Sequence, residues 1–195
     1  MESNHATGRD AHGHILLVYE DHDERLRLLA EYFGEGLANN ELCVLVTPGP
    51  LDRVINDLRS AGLDAQQAAN DDRLRIFEMT DTYLPHGKFI ANYMLQNVTD
   101  YIAEARNKGF SGVRTAGEMS WLYGLPEFFE AADQYERMVT ELGSNNPQLT
   151  GLCLYPVRQG SGRILDDALH THQSIIYDGT LRTNPFSNGG QTVTA

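Results

Sequence analysis

Apolar positions along this chain follow two rhythms. In the first, short runs are apolar at nearly every position: "ILLVY" at 15–19, "LCVLVT" at 42–47 and "LTGLCLYPV" at 149–157. A strand wet on one face alternates, so runs without alternation predict strands covered on both faces. "RLRIFEM" (73–79) does alternate. "GVRTAGEMSW" opens as a strand over about 111–116, and "SIIYDG" (174–179) reads as a last strand and turn, followed by a short edge strand near Leu181.

In the second rhythm, apolar residues recur every three or four positions, the spacing of a helix with one buried face. Leu26, Leu29, Tyr32, Phe33 and Leu37 do so after Asp23, and Gly34 and Gly36 are expected to help end that helix. Leu51, Val54, Ile55 and Leu58 repeat the pattern between "PGP" and Gly62. Phe89, Tyr93, Met94, Val98, Tyr101, Ile102 and Ala105 predict a long helix ending near Lys108-Gly109. Pro126 to Leu142 and Ile164 to His170 are the remaining helices, and "TDTYLPHGKF" (80–89), after the strand at 73–79, reads as a loop.

Strands and helices alternate almost throughout. This predicts an α/β fold of three layers, a mostly parallel sheet with helices on both faces. Residues 1–12 are expected to be a disordered tail and 187–195 a flexible one. In such sheets ligands sit beyond the carboxyl ends of the strands. That rule selects Tyr19-Glu20, Thr47-Pro48, Met79 to Tyr83, Gly117-Glu118-Met119 and Tyr155 to Arg158.

Composition narrows the field. The chain has 195 residues and a formal net charge of −12. So acidic a surface repels phosphate backbones and argues against direct nucleic-acid binding. No apolar run reaches membrane-spanning length and no signal-peptide core precedes the first strand, so a cytoplasmic protein is expected. Cys43 and Cys153 lie inside strand-like runs, where buried thiols are expected rather than a disulfide.

Candidate chemistry falls at the strand ends. "YEDHDER" (19–25) occupies the turn that holds a phosphate in many α/β proteins. It has no glycine, lysine, serine or threonine for that task. Its carboxylates suit the cap of a helix N-terminus instead. Tyr19 differs, because it ends a strand and faces the ligand side. In "RTAGEMSW" (114–121), Glu118 either joins a ligand pocket or pairs with an arginine that fixes the loop, while Met119 and Trp121 offer flat, soft apolar surface. Tyr155 and Arg158 stand after the fifth strand. "HTH" (170–172) is read as a helix end, since nothing nearby in sequence completes a recognisable metal site. No nucleophile elbow or triad spacing is found.

In order, "GHILLVYED", "EGLANNELCVLVT", "TYLPHGKF", "GVRTAGEMSW", "YERMV", "LCLYPVR" and "LHTHQSIIYDG…NPF" resemble the MEDS family, the methanogen and methylotroph sensory domain. The resemblance covers about 13–186. It implies a degenerate relative of recombinase-like and clock-type P-loop ATPases that lacks the Walker A loop; no catalytic residue, metal or cofactor is expected. It implies a role sensing small hydrocarbon-derived or methylated molecules and signalling to DNA-binding or kinase modules. The matching positions at strand ends are His14, Tyr19, Tyr83, Arg114, Glu118, Trp121 and Tyr155. "YPVRQGSGR" departs from the family pattern at Pro156. The chain carries no fused output domain, so either that domain is missing or a partner protein is docked.

The leading expectation is therefore a non-enzymatic sensor. Its crevice would be walled by Tyr19, Met119 and Trp121, and Glu118 and Arg114 would set its polarity or lock its loop. The alternatives are a divergent ATPase using Glu118 and a dimerising interaction module without ligand.

Overall fold

The computed structural model describes residues 13–157, 162–177 and 179–187. Seven strands form one sheet: β1 (Gly13–Tyr19), β2 (Glu41–Thr47), β3 (Leu74–Glu78), β4 (Gly112–Glu118), β5 (Leu149–Pro156), β6 (Ser174–Tyr177) and β7 (Thr180–Thr183). Their spatial order is β3-β2-β4-β5-β1-β6-β7. Every pairing is parallel except β6 with β7, a hairpin that closes one edge. The non-alternating runs become β1, β2 and β5 in the interior of the sheet, as double-sided burial requires.

The connecting helices divide cleanly. α1 (His22–Ala38), α2 (Leu51–Ser60) and α3 (Ala65–Asn70) cover one face, where Leu28, Leu29, Phe33, Val54 and Leu58 pack on Ile15, Leu17, Cys43 and Leu45. α4 (Met79–Tyr83), α5 (Ala91–Lys108), α6 (Phe129–Asn145) and α7 (Gly162–Thr171) cover the other. Because strand side chains alternate, neighbours in sequence serve different faces. Tyr19 and Glu118 therefore belong to the α1 face, and His14, Gly117 and Tyr155 to the α6 face.

Three local expectations change. Residues 79–83 are helical rather than loop: α4 is little more than one turn and too short for its periodicity to register. β4 continues to Glu118 instead of ending near 116. Gly34 and Gly36 do not end α1, which runs on to Ala38. At Gly36 a Cβ would lie 2.7 Å from Arg114 Cδ, so the missing side chain gives the arginine its path. Arg158 and the expected tails, 1–12 and 187–195 apart from Ser187, lie outside the described residues.

Candidate functional site

At the carboxyl ends of the strands, on the α1 face, a crevice of about 430 Å³ opens among Tyr19, Arg25, Pro48, Arg53, Glu118 and Pro156. Its floor is a saturated polar lock. Glu118, 1 % exposed, accepts from the Tyr19 hydroxyl at 2.9 Å and from Arg25 Nε at 2.8 Å. The backbone N–H of Ser120 adds a third bond. Arg25 also donates to Thr47 Oγ1 at 2.6 Å, so β1, α1, β2 and β4 meet at one guanidinium. Burial raises the Glu118 pKa, against the opposing effects of Arg25 and Tyr19. Burial and the neighbouring carboxylate push the Tyr19 phenol up as well, so it stays a donor.

The crevice is poorly suited to a nucleoside triphosphate. The α1 N-terminus is already capped, since Asp21 Oδ1 accepts from Glu24 N–H at 2.8 Å. Glu24 in turn accepts from Glu20 N–H. Thus the donors that would hold phosphate face the chain's own carboxylates. Gly49 adopts φ +95°, a conformation that suits glycine, and turns "PGP" along the crevice wall.

Immediately after Glu118 the chain crosses to the other face. Met119, fully buried, and Trp121, 6 % exposed, join the core beneath α5 and α6 rather than the crevice. Trp121 stacks on Tyr83 (ring centroids 5.6 Å apart) and packs on Phe89 (5.0 Å), which meets Tyr135 edge-on. Tyr83 lies over Gly117, where a Cβ would be 2.0 Å from its hydroxyl. The 3-10 turn at 120–124 leaves Trp121 Nε1 and the Tyr123 hydroxyl buried without a partner among the described residues.

Arg114 belongs to neither place. It lies four residues before Glu118 on the same strand face, about 13 Å away at strand spacing. There it pairs with Glu35 and Glu41, donates to the Tyr32 carbonyl and covers the Tyr32 ring. The arginine that locks Glu118 is Arg25, which the sequence reading missed. It occupies a position on the apolar stripe of α1, in step with Leu28, Leu29 and Tyr32, and that placement was the available signal.

The α6 face holds a second polar assembly. His14 (β1), Cys153 (β5), Glu136 (α6) and His172, just past α7, each present one donor atom, all within 4.8 Å of one another and all buried. His14 Nε2 lies 3.0 Å from Glu136 Oε2 and 3.2 Å from Cys153 Sγ, and Cys153 donates to Glu136 at 3.4 Å. His172 Nε2 stands 3.4 Å from the same carboxylate oxygen. Tyr155 donates to the other oxygen at 2.8 Å. Burial opposes ionisation of Glu136, but the close approach of His14 and His172, with the Tyr155 hydroxyl, more than offsets it, holding its pKa at about 2. Burial lowers the His172 pKa to about 3 and raises that of the Cys153 thiol. The "HTH" segment thus ends a helix, as read, and also sends His172 inward. Asn184 holds that turn by donating to the Leu169 and His172 carbonyls. Beside the cluster lies a cavity of about 40 Å³ over Thr115, Gly117 and Gly151, where the central strands carry no large side chain.

The eight residues selected from sequence therefore separate. Tyr19 and Glu118 line the crevice; Tyr83, Met119 and Trp121 form the aromatic core beneath it; His14 and Tyr155 belong to the buried cluster; Arg114 ties α1 to β2 and β4. Fold and sites define an α/β domain with a crevice at the strand ends, beside a capped helix start.

A family profile, that of the methanogen/methylotroph, DcmR sensory domain, matches residues 13–173, and the chain belongs to this MEDS family. It is 27% identical over 164 residues to the transcriptional repressor DcmR of Methylorubrum extorquens. The match covers 83% of this chain but only 58% of the length of that relative. Among solved structures it resembles an uncharacterised protein of Pyrococcus horikoshii, crystallised with an unknown peptide. That likeness has a TM-score of 0.62 and 18% identity, over 87% of this chain and 81% of the other, and shows the fold alone. No helix among the described residues is long and apolar enough to cross a membrane.

Proposed function

We propose that the chain is the sensory part of a transcription regulator, that it takes a small organic ligand in the crevice at the strand ends, and that it performs no chemistry. Family membership and the repressor relative support the regulatory role. Volume favours the crevice over the interior: about 430 Å³ is in the range of small-molecule sites, whereas about 40 Å³ holds little more than a water. Leu26, Pro48, Pro50, Val54 and Pro156 give an apolar wall, and Tyr19, Arg25, Arg53 and the carboxylates of Glu20, Asp21 and Asp57 a polar one, which suits a hydrocarbon-derived or methylated molecule carrying a polar group.

The observation that carries the reading is the segment 118–123. Its first residue is locked in the crevice, its fourth is stacked in the core of the opposite face, and two of its buried donors lack partners. A ligand that competes for Glu118, Tyr19 or Arg25 loosens the lock. The segment then shifts against α4 and the turn after it, and a DNA-binding or kinase partner reads the shift. The framework is taken as that of a P-loop ATPase in which the phosphate loop has become a capped helix start. Thermal-shift and calorimetric titrations with a panel of small organic metabolites test this. A compound that stabilises the wild type and loses affinity in Tyr19→Phe and Glu118→Gln is expected. No response to any compound, or equal response in both variants, rejects the crevice.

A further inference from the structure

We propose that His14, Glu136, Cys153 and His172 form a binding site for one divalent transition-metal ion of the zinc class. The site is separate from the crevice, on the opposite face of the sheet, and does not depend on the ligand reading above.

Hydrogen-bond direction supports this first. His172 Nδ1 lies 2.7 Å from the Ala168 carbonyl, which only accepts, so the ring proton is on Nδ1. Nε2 then carries a lone pair. It is fully buried, has no hydrogen-bond partner among the described residues, and points at the Glu136 carboxylate. Two electron-rich atoms face each other with nothing between them, an arrangement that a cation resolves. His14 repeats the pattern. Thr140 Oγ1 donates its one proton to the Thr171 or the Glu136 carbonyl, so it accepts from His14 Nδ1–H at 2.8 Å. His14 Nε2 is thereby turned to the same centre. Imidazoles that ligate metals are held in this way, with the distal N–H donated to a fixed oxygen.

Geometry and charge agree. Four of the six edges between the donor atoms run from 3.0 to 3.4 Å, and none exceeds 4.8 Å. A tetrahedron with zinc-ligand arms has edges of about 3.3–3.5 Å, so small shifts would seat the ion. One carboxylate and one thiolate neutralise a divalent cation, so the buried site stays uncharged overall. Two imidazoles, a thiolate and a carboxylate are borderline donors, which select zinc-like ions over calcium or magnesium. Tyr155 would hold the carboxylate from behind through its 2.8 Å bond to Oε1.

Cobalt(II) titrated into the chelator-treated full chain is the test, read by absorbance. One equivalent per chain is expected, with a thiolate-to-cobalt charge-transfer band. Cys153→Ser should lose the band, while Cys43→Ser, on the other face of the sheet, should keep it. His172→Gln retains the thiol and should keep a weaker band with affinity reduced roughly tenfold or more, so the test does not rest on the folding of one variant. Substoichiometric binding, a band lost with Cys43 instead of Cys153, or wild-type affinity in His172→Gln would overturn the site.

Discussion

Glu118, at the end of β4, and Glu136, on α6, are both buried glutamates, one on each face of the sheet, and they are buried in opposite ways. Glu118 meets a permanent cation. Arg25, Tyr19 and the Ser120 N–H fill its oxygens, and its neighbours point outward into a crevice. Glu136 meets imidazoles and a thiol, groups that can lose or share protons, and its neighbours point inward at one centre. A carboxylate satisfied by arginine is a lock, whose value lies in what opens it. A carboxylate surrounded by imidazole and thiol donors is a coordination set. Burial alone does not distinguish the two; the identity of the partners does.

The largest expected effect comes from dismantling the inward cluster. Glu136→Ala leaves the buried Tyr155 hydroxyl and Cys153 thiol without their shared acceptor, and should lower unfolding free energy by about 2–4 kcal/mol in urea titrations. Glu118→Gln keeps the shape of the crevice lock but leaves Arg25 buried without a counter-charge, at a cost of about 2–3 kcal/mol. Replacing both Arg25 and Glu118 with methionine should cost less than the sum of the single changes, with a coupling of about 1–3 kcal/mol. A cycle that adds without coupling would mean that the pair is not a lock.

Acid separates the faces as well. His172 has a folded pKa of about 3, below its ordinary 6.5, so its contribution is whole above pH 6.5 and is lost as pH falls towards 3. Glu136, held at about 2 against an ordinary 4.5, adds a loss below pH 4.5. Glu118 is shifted the other way: its protonation favours the folded state, and acid does not weaken it through this group. Stability should therefore fall below pH 6.5 with a slope approaching about 1.4 kcal/mol per pH unit per proton. His172→Asn should flatten that slope between pH 6.5 and 4.5, and Glu118→Gln should not.

The smallest contrast is between two glycines on the α6 face. Gly117→Ala places a methyl against the Tyr83 hydroxyl and should cost about 1–3 kcal/mol. Gly151→Ala meets its nearest atom, Thr115 Oγ1, at 3.4 Å, beside the small cavity, and should change stability by less than about 0.5 kcal/mol.

Much of the fold was legible because its strands are buried on both faces and so appear as unbroken apolar runs. α4 was not, because "MTDTY" is too short to show a period. At the crevice, Tyr19 and Glu118 followed from the rule that ligands gather at strand ends. Arg25 did not, because a charged residue on an apolar stripe looks like an irregularity until its partner on β4 is known. Arg114 was misplaced for a related reason: it shares a face with Glu118 but stands at the opposite end of the strand. The inward cluster has no local signature at all. Its four residues come from four segments: the parallel pairing of β1 with β5 sets His14 beside Gly151, near Cys153, and α6 and the end of α7 bring in Glu136 and His172.

The claim that the crevice and the opposite core are joined through residues 118–123 has a built-in reporter, since Trp121 is the only tryptophan in the chain. Its fluorescence should be followed while a compound found to bind in calorimetry is titrated. A change in emission that saturates with binding in the wild type, and is lost when Tyr19→Phe and Glu118→Gln abolish binding, is the predicted result. Saturable binding at the crevice with unchanged Trp121 emission would contradict the account.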